Sequence, residues 1–200
     1  MSQHYYSKNP QTTSKPQEWD FTLRGEKIHF QTDSGVFSKN EVDFGSRLLI
    51  EAFEESLVEG PILDVGCGYG PIGIALAKSL PRKRVHMVDV NTRAIELAKK
   101  NALKNNADNV EIYESDGLSS VSEEGFSAIV TNPPIRAGKE TVFRFYEEAF
   151  EKVSPGGSLW VVIQKKQGAH STQEKLEELF GNCSVADKKK GYFIFEARKV

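Results

Sequence analysis

The sequence has little cysteine and no obvious set of metal ligands. Its two cysteines, Cys67 and Cys183, form no Cys-x-x-Cys pair, and its four histidines show no ligand spacing. Zinc sites and disulfide-stapled folds both depend on such spacings. The sequence therefore indicates neither a disulfide framework nor a metal site.

Long apolar runs are also absent. No segment approaches the roughly 20 apolar residues that span a bilayer. The polar start of the chain lacks the apolar segment that a signal peptide requires. We therefore expect a cytoplasmic protein with no membrane partner.

Positive charge is not in excess. The formal net charge is −2 and the isoelectric point is about 6.1. Domains that bind bare nucleic acid usually have an isoelectric point above about 9. Basic residues do cluster at 82–84, 165–166, 188–190 and 198–199, but such clusters more often belong to a solvated surface than to a binding patch. The charge permits an RNA partner without arguing for one.

Short apolar runs alternate with amphipathic stretches from Pro61 onward, which is typical of an α/β fold with a parallel sheet and helices on both faces. The runs are PILDV (61–65), RVHMVDV (84–90), NVEIYES (109–115), FSAIVTN (126–132) and SLWVVIQ (158–164).

The stretches between and after these runs predict the rest of the core. Helices are predicted over 92–106 and 140–153, and TQEKLEELFGN predicts a helix closed by Gly181. The last run, GYFIFEARK (191–199), follows CSVADKKK closely. We therefore expect these two segments to form an antiparallel pair at one edge of the sheet.

The N-terminal part predicts an extension of the same domain. WDFTLRGEKIHFQTD (19–33) alternates apolar and polar residues on both sides of Arg24-Gly25, which predicts a short β-hairpin. GSRLLIEAFEESL (45–57) predicts an amphipathic helix. The sequence therefore predicts a single domain over 1–200, with an N-terminal extension over 1–44 and a core over 45–200.

Three alternate glycines lie between a predicted strand and a predicted helix, in LDVGCGYGPIG (63–73). Gly66, Gly68 and Gly70 let the backbone turn sharply and approach a ligand without side-chain obstruction. Pro71 stands where the dinucleotide fingerprint Gly-x-Gly-x-x-Gly needs its third glycine. The loop therefore predicts a cofactor site, but not one for a nicotinamide or flavin.

Polar residues accompany four predicted strands at the edge where open α/β sheets bind ligands. Asp89 is placed to accept hydrogen bonds from both hydroxyls of a ribose, and Asp116-Gly117 to border an adenine ring. Each could be only a loop or cap residue, but several of them beside a glycine loop predict a cofactor cleft. The four residues are Asp64, Asp89, Asp116 and Asn132.

The order LDVGCGYG, VDVN, SDG and NPP resembles the class I S-adenosylmethionine-dependent methyltransferases. The resemblance implies S-adenosyl-L-methionine as the cofactor, with its methionine part on the glycine loop, its ribose on the acid after the second strand and its adenine on the SDG acid. It also implies a Rossmann-like, seven-stranded sheet with an antiparallel last strand. The corresponding residues are Asp64, Gly66, Gly68, Gly70, Asp89 and Asp116.

The tetrapeptide NPPI (132–135) follows the fourth strand directly. Its prolines restrict the backbone, so that the Asn132 side-chain oxygen and the Pro133 carbonyl can point at one position. An exocyclic amine needs two acceptors, because its N–H groups then hold the nitrogen lone pair toward the methyl donor. With Pro134 and Ile135, these residues form the predicted catalytic loop, and a tight turn that only caps the strand is the alternative.

Further segments resemble the catalytic domain of bacterial small-subunit ribosomal RNA guanine methyltransferases of the C type. They are GVFSKNEVDFGSRLL (35–49), RAGKE (136–140) and PGGSLWVV (155–162). The resemblance implies methylation of the 2-amino group of guanine in ribosomal RNA or in the small ribosomal subunit.

Three residues have more than one interpretation within this resemblance. Ile135 replaces the aromatic residue that stacks on the target in relatives. Phe37 could cover the cofactor or the target base, or pack in the core. Asp43 could lie beside the methionine end of the cofactor or cap a helix.

Other functions stay open at this stage. Methylation of a protein glutamine amide needs the same two acceptors, although enzymes of that kind usually have tyrosine after NPP. A cofactor-binding assembly factor without catalysis is the third interpretation, and the intact Asn132 argues against it. If RNA is the substrate, the net negative charge favours RNA presented in an assembled particle. The sequence does not determine the oligomeric state.

Overall fold

The computed structural model describes residue 13, residues 15–33 and residues 41–200. In this part of the chain, β1 (Gln17–Leu23) and β2 (Glu26–Thr32) form a hairpin, and the remaining strands form one sheet. The strands of the sheet are β3 (Ile62–Val65), β4 (Val85–Asp89), β5 (Val110–Glu114), β6 (Phe126–Thr131), β7 (Val153–Gln164), β8 (Ser184–Lys189) and β9 (Tyr192–Arg198).

The sheet has seven strands in the order β5-β4-β3-β6-β7-β9-β8. Strands β3 to β7 run parallel, and β9 is antiparallel to both of its neighbours. The predicted Rossmann-like sheet and its antiparallel edge pair are therefore confirmed. Because β3 to β7 are parallel, the loops that follow β3, β4, β5 and β6 all open at one edge.

Helices cover both faces of the sheet, as predicted. Successive strand residues such as Ile62 and Leu63 point into different cores, because each face carries its own helices. One core contains side chains of α1 (Phe44–Ala52), α2 (Pro71–Ser79) and α3 (Thr92–Lys104), and the other contains those of α4 (Lys139–Lys152) and α5 (Ala169–Phe180).

Local capping chemistry explains where several helices begin and end. The Asn91 side chain accepts hydrogen bonds from the first backbone N–H groups of α3. Gly181 ends α5 in a left-handed conformation with φ of 75°, as its position predicts. In the described part of the chain, no helix combines the length and the apolar character that crossing a bilayer demands.

Helix α1 is shorter than the sequence suggests. The sequence predicts a helix over 45–57, but α1 ends at Ala52 and Phe53 is extended, with ψ of 126°. The cause lies in the hairpin turn, where Arg24 Nη1 donates to the carbonyls of Ile50 and Phe53, each at 2.8 Å. These bonds satisfy the carbonyls that a longer helix would have used itself.

The N-terminal hairpin is confirmed and forms part of the core. Arg24 and Gly25 make its two-residue turn with φ of 50° and 77°, as a type I′ turn requires. Asn105, the C-cap residue of α3, accepts from the His29 N–H at 2.9 Å and donates to the His29 carbonyl at 2.7 Å. Asn101 pairs with Gln31 in the same way, at 2.7 and 2.9 Å.

Candidate active site

The glycine loop joins β3 to α2 and rests on β4. The N–H groups of Gly66 and Cys67 both donate to the Val88 carbonyl, at 2.8 and 2.9 Å. Gly66 and Gly68 have φ of 74° and 57°, which other residues rarely adopt. A Cβ at either position would meet no atom within 4 Å. The loop therefore presents bare backbone to open space, as contact with a cofactor requires.

Gly70 serves the packing of α2 instead. It precedes the helix with φ of 102°, and a Cβ there would lie 2.8 Å from Ile74 Cδ1 and 3.0 Å from Met87 Cε. Pro71 follows in the first turn, where the missing N–H removes no helical hydrogen bond. The three predicted glycines thus divide into two that face open space and one that packs.

Asp64 is buried beside the glycine loop. Its Oδ2 accepts from the Gly73 N–H at 2.9 Å, whereas its Oδ1 is buried without a hydrogen-bond partner in the described residues. Burial raises the pKa of Asp64 to about 7, opposed by the Gly73 N–H and assisted by the charge of Asp89. An orphaned carboxylate oxygen of this kind fits a positively charged group of a bound cofactor.

Asp89 ends β4 and holds the glycine loop. Its Oδ2 accepts from the Gly68 N–H at 2.9 Å and its Oδ1 from the Asn91 N–H at 2.8 Å. Burial raises the pKa of Asp89, and these backbone donors oppose the rise. Each carboxylate oxygen has further acceptor capacity, so both oxygens can also receive hydroxyl groups of a ribose.

Asp116 and Gly117 follow β5 and contact α4. Asp116 Oδ1 accepts from Arg144 Nη2 at 2.8 Å, and Arg144 Nη1 donates to Glu148 Oε1 at 3.1 Å. A Cβ at Gly117 would lie 2.7 Å from both Glu148 Oε2 and Phe145 Cε1. Gly117 therefore makes room for α4. Arg144 and Glu148 were not predicted from the sequence, because an (i, i+4) ion pair is ordinary on a helix surface.

Asn132 follows β6 and is held by the start of α1. Its Nδ2 donates to Asp43 Oδ2 at 3.2 Å and to Ser46 Oγ at 3.0 Å. An ionised carboxylate only accepts, so the amide nitrogen must face Asp43 and the amide oxygen must face away. Among the described residues none donates to that oxygen. Asn132 Oδ1 is therefore an oriented, available acceptor.

Asp43 is the N-cap of α1, which is one of its two predicted interpretations. Its Oδ2 accepts from the Ser46 N–H at 3.0 Å as well as from Asn132. Ser46 was not predicted as a site residue, although it lies three positions after a predicted cap. Contact between Asp43 and a cofactor stays a prediction.

The backbone of NPPI forms a tight turn. Pro134 has φ of −75° and ψ of 79°, and the Ile135 N–H donates to the Pro133 carbonyl at 2.9 Å. These values are those of an inverse γ-turn. The Pro133 carbonyl has a second lone pair for a substrate amine. The predicted acceptor pair therefore consists of the Asn132 amide oxygen, to which no described residue donates, and the Pro133 carbonyl, which already accepts from the Ile135 N–H.

Ile135 packs against the core on the α4 and α5 side. It lines a pocket of about 160 Å³ together with Lys139, Phe143, Ile163 and Ser171. An aliphatic wall can contact the face of a ring but offers no aromatic stacking. Phe37, the other predicted substrate-binding residue, lies outside the described residues.

Tyr69 supports the glycine loop from the hairpin side. Its ring lies 5.9 Å from that of Trp19 and 5.5 Å from that of Phe30, measured between centroids. Asn101 Nδ2 donates to the Tyr69 carbonyl and to the Gln31 carbonyl, each at 2.9 Å. No local sequence pattern marks Tyr69 or Asn101, so neither was predicted to support the site.

The sequence model of one protein family, the methyltransferase small domain, matches residues 27–196. The chain belongs to this family. The predicted resemblance to class I S-adenosylmethionine-dependent methyltransferases is therefore confirmed.

Relatives of this methyltransferase small domain include ribosomal RNA enzymes. Ribosomal RNA small subunit methyltransferase C of Vibrio cholerae serotype O1 is 32% identical over 180 residues, which cover 88% of this chain and 51% of that protein. Ribosomal RNA large subunit methyltransferase G of Shewanella amazonensis is 30% identical over 198 residues, covering 96% and 50%. The chain spans about half the length of these relatives.

Two further similarities cover nearly all of the methyltransferase small domain. The uncharacterized protein YbxB of Bacillus subtilis is 58% identical over 201 residues, which cover 100% of both chains. The solved structure of the T. thermophilus 16S rRNA N2 G1207 methyltransferase (RsmC), in complex with AdoMet and guanosine, has a TM-score of 0.82 and 28% identity. That match covers 96% of this chain and 52% of that one.

Proposed function

We propose that this chain transfers the methyl group of S-adenosylmethionine to an exocyclic amino nitrogen, the 2-amino group of guanine in small-subunit ribosomal RNA. The observation that carries the proposal is the oriented amide of Asn132. Its nitrogen is bound by Asp43 and Ser46, so its oxygen is the group presented to a substrate. An enzyme that methylates an amine needs an acceptor of this kind.

The cofactor side of the site fits S-adenosylmethionine. Gly66 and Gly68 admit a ligand to the backbone, and Asp89 offers carboxylate oxygens to the ribose. Asp64 adds a buried carboxylate oxygen without a partner in the described residues. When bound, this cofactor supplies an electrophilic methyl group on a positively charged sulfur.

The residues of NPPI position the substrate amine for attack on the methyl group. Asn132 Oδ1 and the Pro133 carbonyl accept the two N–H groups of the amine, which leaves the nitrogen lone pair directed at the methyl group. A strong base is unnecessary before attack, because the proton can leave after the methyl group has been transferred. Orientation and electrostatic complementarity therefore carry most of the rate enhancement.

The names of the relatives support RNA as the substrate. The name of methyltransferase C of Vibrio cholerae favours small-subunit RNA, and T. thermophilus RsmC, a 16S rRNA N2 G1207 methyltransferase in complex with guanosine, favours the guanine 2-amino group. Methyltransferase G of Shewanella amazonensis, named for the large subunit, is similar to this chain to nearly the same degree. An experimental test must therefore include the large subunit as a possible substrate. Methylation of a protein glutamine amide is the alternative that the same acceptors would serve.

The test uses purified full-length protein and S-adenosylmethionine labelled in its methyl group. Small subunits, large subunits and protein-free ribosomal RNA from a strain lacking the enzyme are incubated side by side, and the modified position is mapped. We expect label on the 2-amino group of a guanine in small-subunit RNA, with assembled particles preferred over protein-free RNA. Label on large-subunit RNA or on protein glutamine would overturn that substrate assignment.

The control for this test is Asn132→Ala. Removal of one preorganised polar group lowers turnover by about 10²–10³. Cofactor affinity should change little, because Asn132 is proposed to contact the amine and not the cofactor. Wild-type turnover in this variant would contradict the mechanism. Absence of label in every wild-type sample would instead favour a cofactor-binding protein without catalysis.

A further inference from the structure

We propose that six exposed cations around the opening beside Asn132 bind the phosphate backbone of the RNA on either side of the target base. The inference rests on the proposed function and extends it to the path of the strand. We call this set the basic collar: Arg136, Lys139, Lys165, Lys166, Lys189 and Lys190.

The fold brings the collar together from three separate stretches of the chain. Arg136 and Lys139 follow β6 directly after NPPI, while Lys165 and Lys166 follow β7, the neighbouring strand. Lys189 ends β8 and Lys190 lies in the turn that leads to β9, and β9 pairs with β7. The backbones of the last two stretches touch, because Lys165 N–H donates to the Gly191 carbonyl at 2.8 Å.

Lys190 connects the collar to the reaction centre through α1. Its Nζ lies 4.9 Å from the centroid of the Phe44 ring. Phe44 follows Asp43, whose carboxylate orients the amide of Asn132. The Phe44 ring also contacts Tyr192, with centroids 5.4 Å apart. The positive charge of Lys190 is therefore presented on the Asn132 side of the sheet edge.

None of the six collar cations forms an ion pair with a described residue, whereas several cations elsewhere do. Arg84, for example, pairs with Glu111 at 3.1 Å and with Glu123 at 2.9 Å. Lys104 pairs with Glu18 at 2.7 Å. Carboxylates thus neutralise some of the basic side chains away from the site, while no described carboxylate pairs with the collar.

This distribution explains how a chain of net charge −2 can bind RNA. Charges interact over about 10 Å at moderate ionic strength, so local charge at the opening decides the attraction of a phosphate. Lysine is a compact point charge that suits phosphate oxygens. A base that reaches Asn132 brings its flanking phosphates to the rim, where the collar lies.

A pair of triple variants tests the proposal. Lys165→Gln, Lys166→Gln and Lys190→Gln together remove half of the collar. The matched control is Arg82→Gln, Lys99→Gln and Lys100→Gln, which removes the same charge from exposed residues outside the sheet edge that carries Asn132. None of these three control residues has an ion pair with a described residue either.

The measurement is the affinity for fluorescently labelled, protein-free small-subunit RNA fragments as a function of salt. Each phosphate contact to single-stranded RNA contributes a slope of about −0.7 to log K against log salt, so the collar variant should lose a slope of about 2. We expect its affinity at moderate salt to fall by about tenfold or more. The control variant should stay within about twofold of wild type.

Two outcomes would overturn the collar. Equal losses in both variants would mean that only net charge matters, and no loss in the collar variant would mean that RNA passes elsewhere. Melting temperature and cofactor affinity, measured on all proteins, exclude misfolding as the cause. Because binding is measured without turnover, failure of the collar is distinguishable from failure of methyl transfer to RNA.

Discussion

The carboxylate of Asp43 lies 3.2 Å from the amide nitrogen of Asn132, a residue 89 positions further along the chain. The contact determines which end of the amide faces the substrate, because a carboxylate cannot donate to the amide oxygen. A residue that caps a helix therefore also orients the predicted catalytic group. This arrangement makes Asp43 a positioning residue whose role can be separated from its cap.

Asp43→Asn should lower turnover by about tenfold without unfolding the protein. Asparagine caps helices as well as aspartate does, but its own amide allows Asn132 to adopt either orientation. Single-turnover methyl transfer at saturating cofactor measures the loss, and calorimetry measures separately any contribution of Asp43 to cofactor affinity. In an Asn132→Ala background the same substitution should have no further effect, so additive losses would contradict the positioning role.

Gly68→Ala and Gly70→Ala should have different principal effects. Both positions have positive φ, 57° and 102°, and alanine in a left-handed conformation costs about 1–2 kcal/mol. The methyl group at Gly68 enters open space, where it should weaken cofactor binding by about tenfold or more (1.4 kcal/mol per factor of ten).

At Gly70 the added methyl group meets Ile74 and Met87, and such overpacking adds about 1–3 kcal/mol to the loss of stability. Calorimetric titration and thermal unfolding on both variants separate the two effects. If both substitutions weakened cofactor binding equally, the division between contact and packing glycines would be wrong.

Cofactor affinity should rise with pH because of Asp64. Burial raises the pKa of Asp64 to about 7 in the free protein, and a cation beside its orphaned Oδ1 would favour the ionised form. Binding should therefore release a proton below that pKa, and affinity should level off above it. Titration in buffers of different ionisation enthalpy counts the proton. Asp64→Asn cannot titrate, so equal proton release in that variant would exclude Asp64 as the source.

The stability of the folded protein should fall in mild acid because of His86. This residue is buried in β4, with Nδ1 3.0 Å from the Tyr113 hydroxyl and Nε2 without a hydrogen-bond partner in the described residues. Burial lowers the pKa of His86. The unfolded chain takes up a proton below about pH 6.5 that the folded chain binds less tightly, so the free energy of unfolding decreases as the pH falls.

Urea denaturation at about pH 7.5 and about pH 5.5 would measure this effect, since those values lie on either side of the unfolded pKa. His86→Gln keeps a polar side chain beside Tyr113 but loses the titrating group, so its stability should depend less steeply on pH. Parallel pH profiles for the two proteins would show that other groups cause the loss.

Features that depend on neighbouring residues in the chain were predictable from the sequence. The hairpin turn at Arg24-Gly25 follows from turn chemistry, and the end of α5 follows from Gly181. The parallel sheet follows from apolar runs separated by helical patterns. Each of these signals is contained within a short segment.

Features set by distant contacts were not predictable. Helix α1 ends early because Arg24 binds its last carbonyls from the hairpin turn. The orientation of Asn132 depends on Asp43 and Ser46. A single sequence contains no pattern that joins such positions.

The candidate site shows the same division. The glycine loop and the strand ends indicate a cofactor cleft, but they do not distinguish Gly68, which faces open space, from Gly70, which packs. Likewise, two basic clusters of the sequence, Lys165-Lys166 and 188–190, become neighbours only when β9 pairs with β7.

The pairing of β2 with Asn101 and Asn105 has a consequence for grafting experiments within this family. Asn101 bonds to both Gln31 in the hairpin and Tyr69 in the glycine loop, so the three elements form one mechanical unit. A hairpin transplanted from another family member would arrive without its matching amides on α3 and at the C-cap of that helix. For a chimera to retain its affinity for the cofactor, residues 69, 101 and 105 would have to be exchanged together with the N-terminal segment.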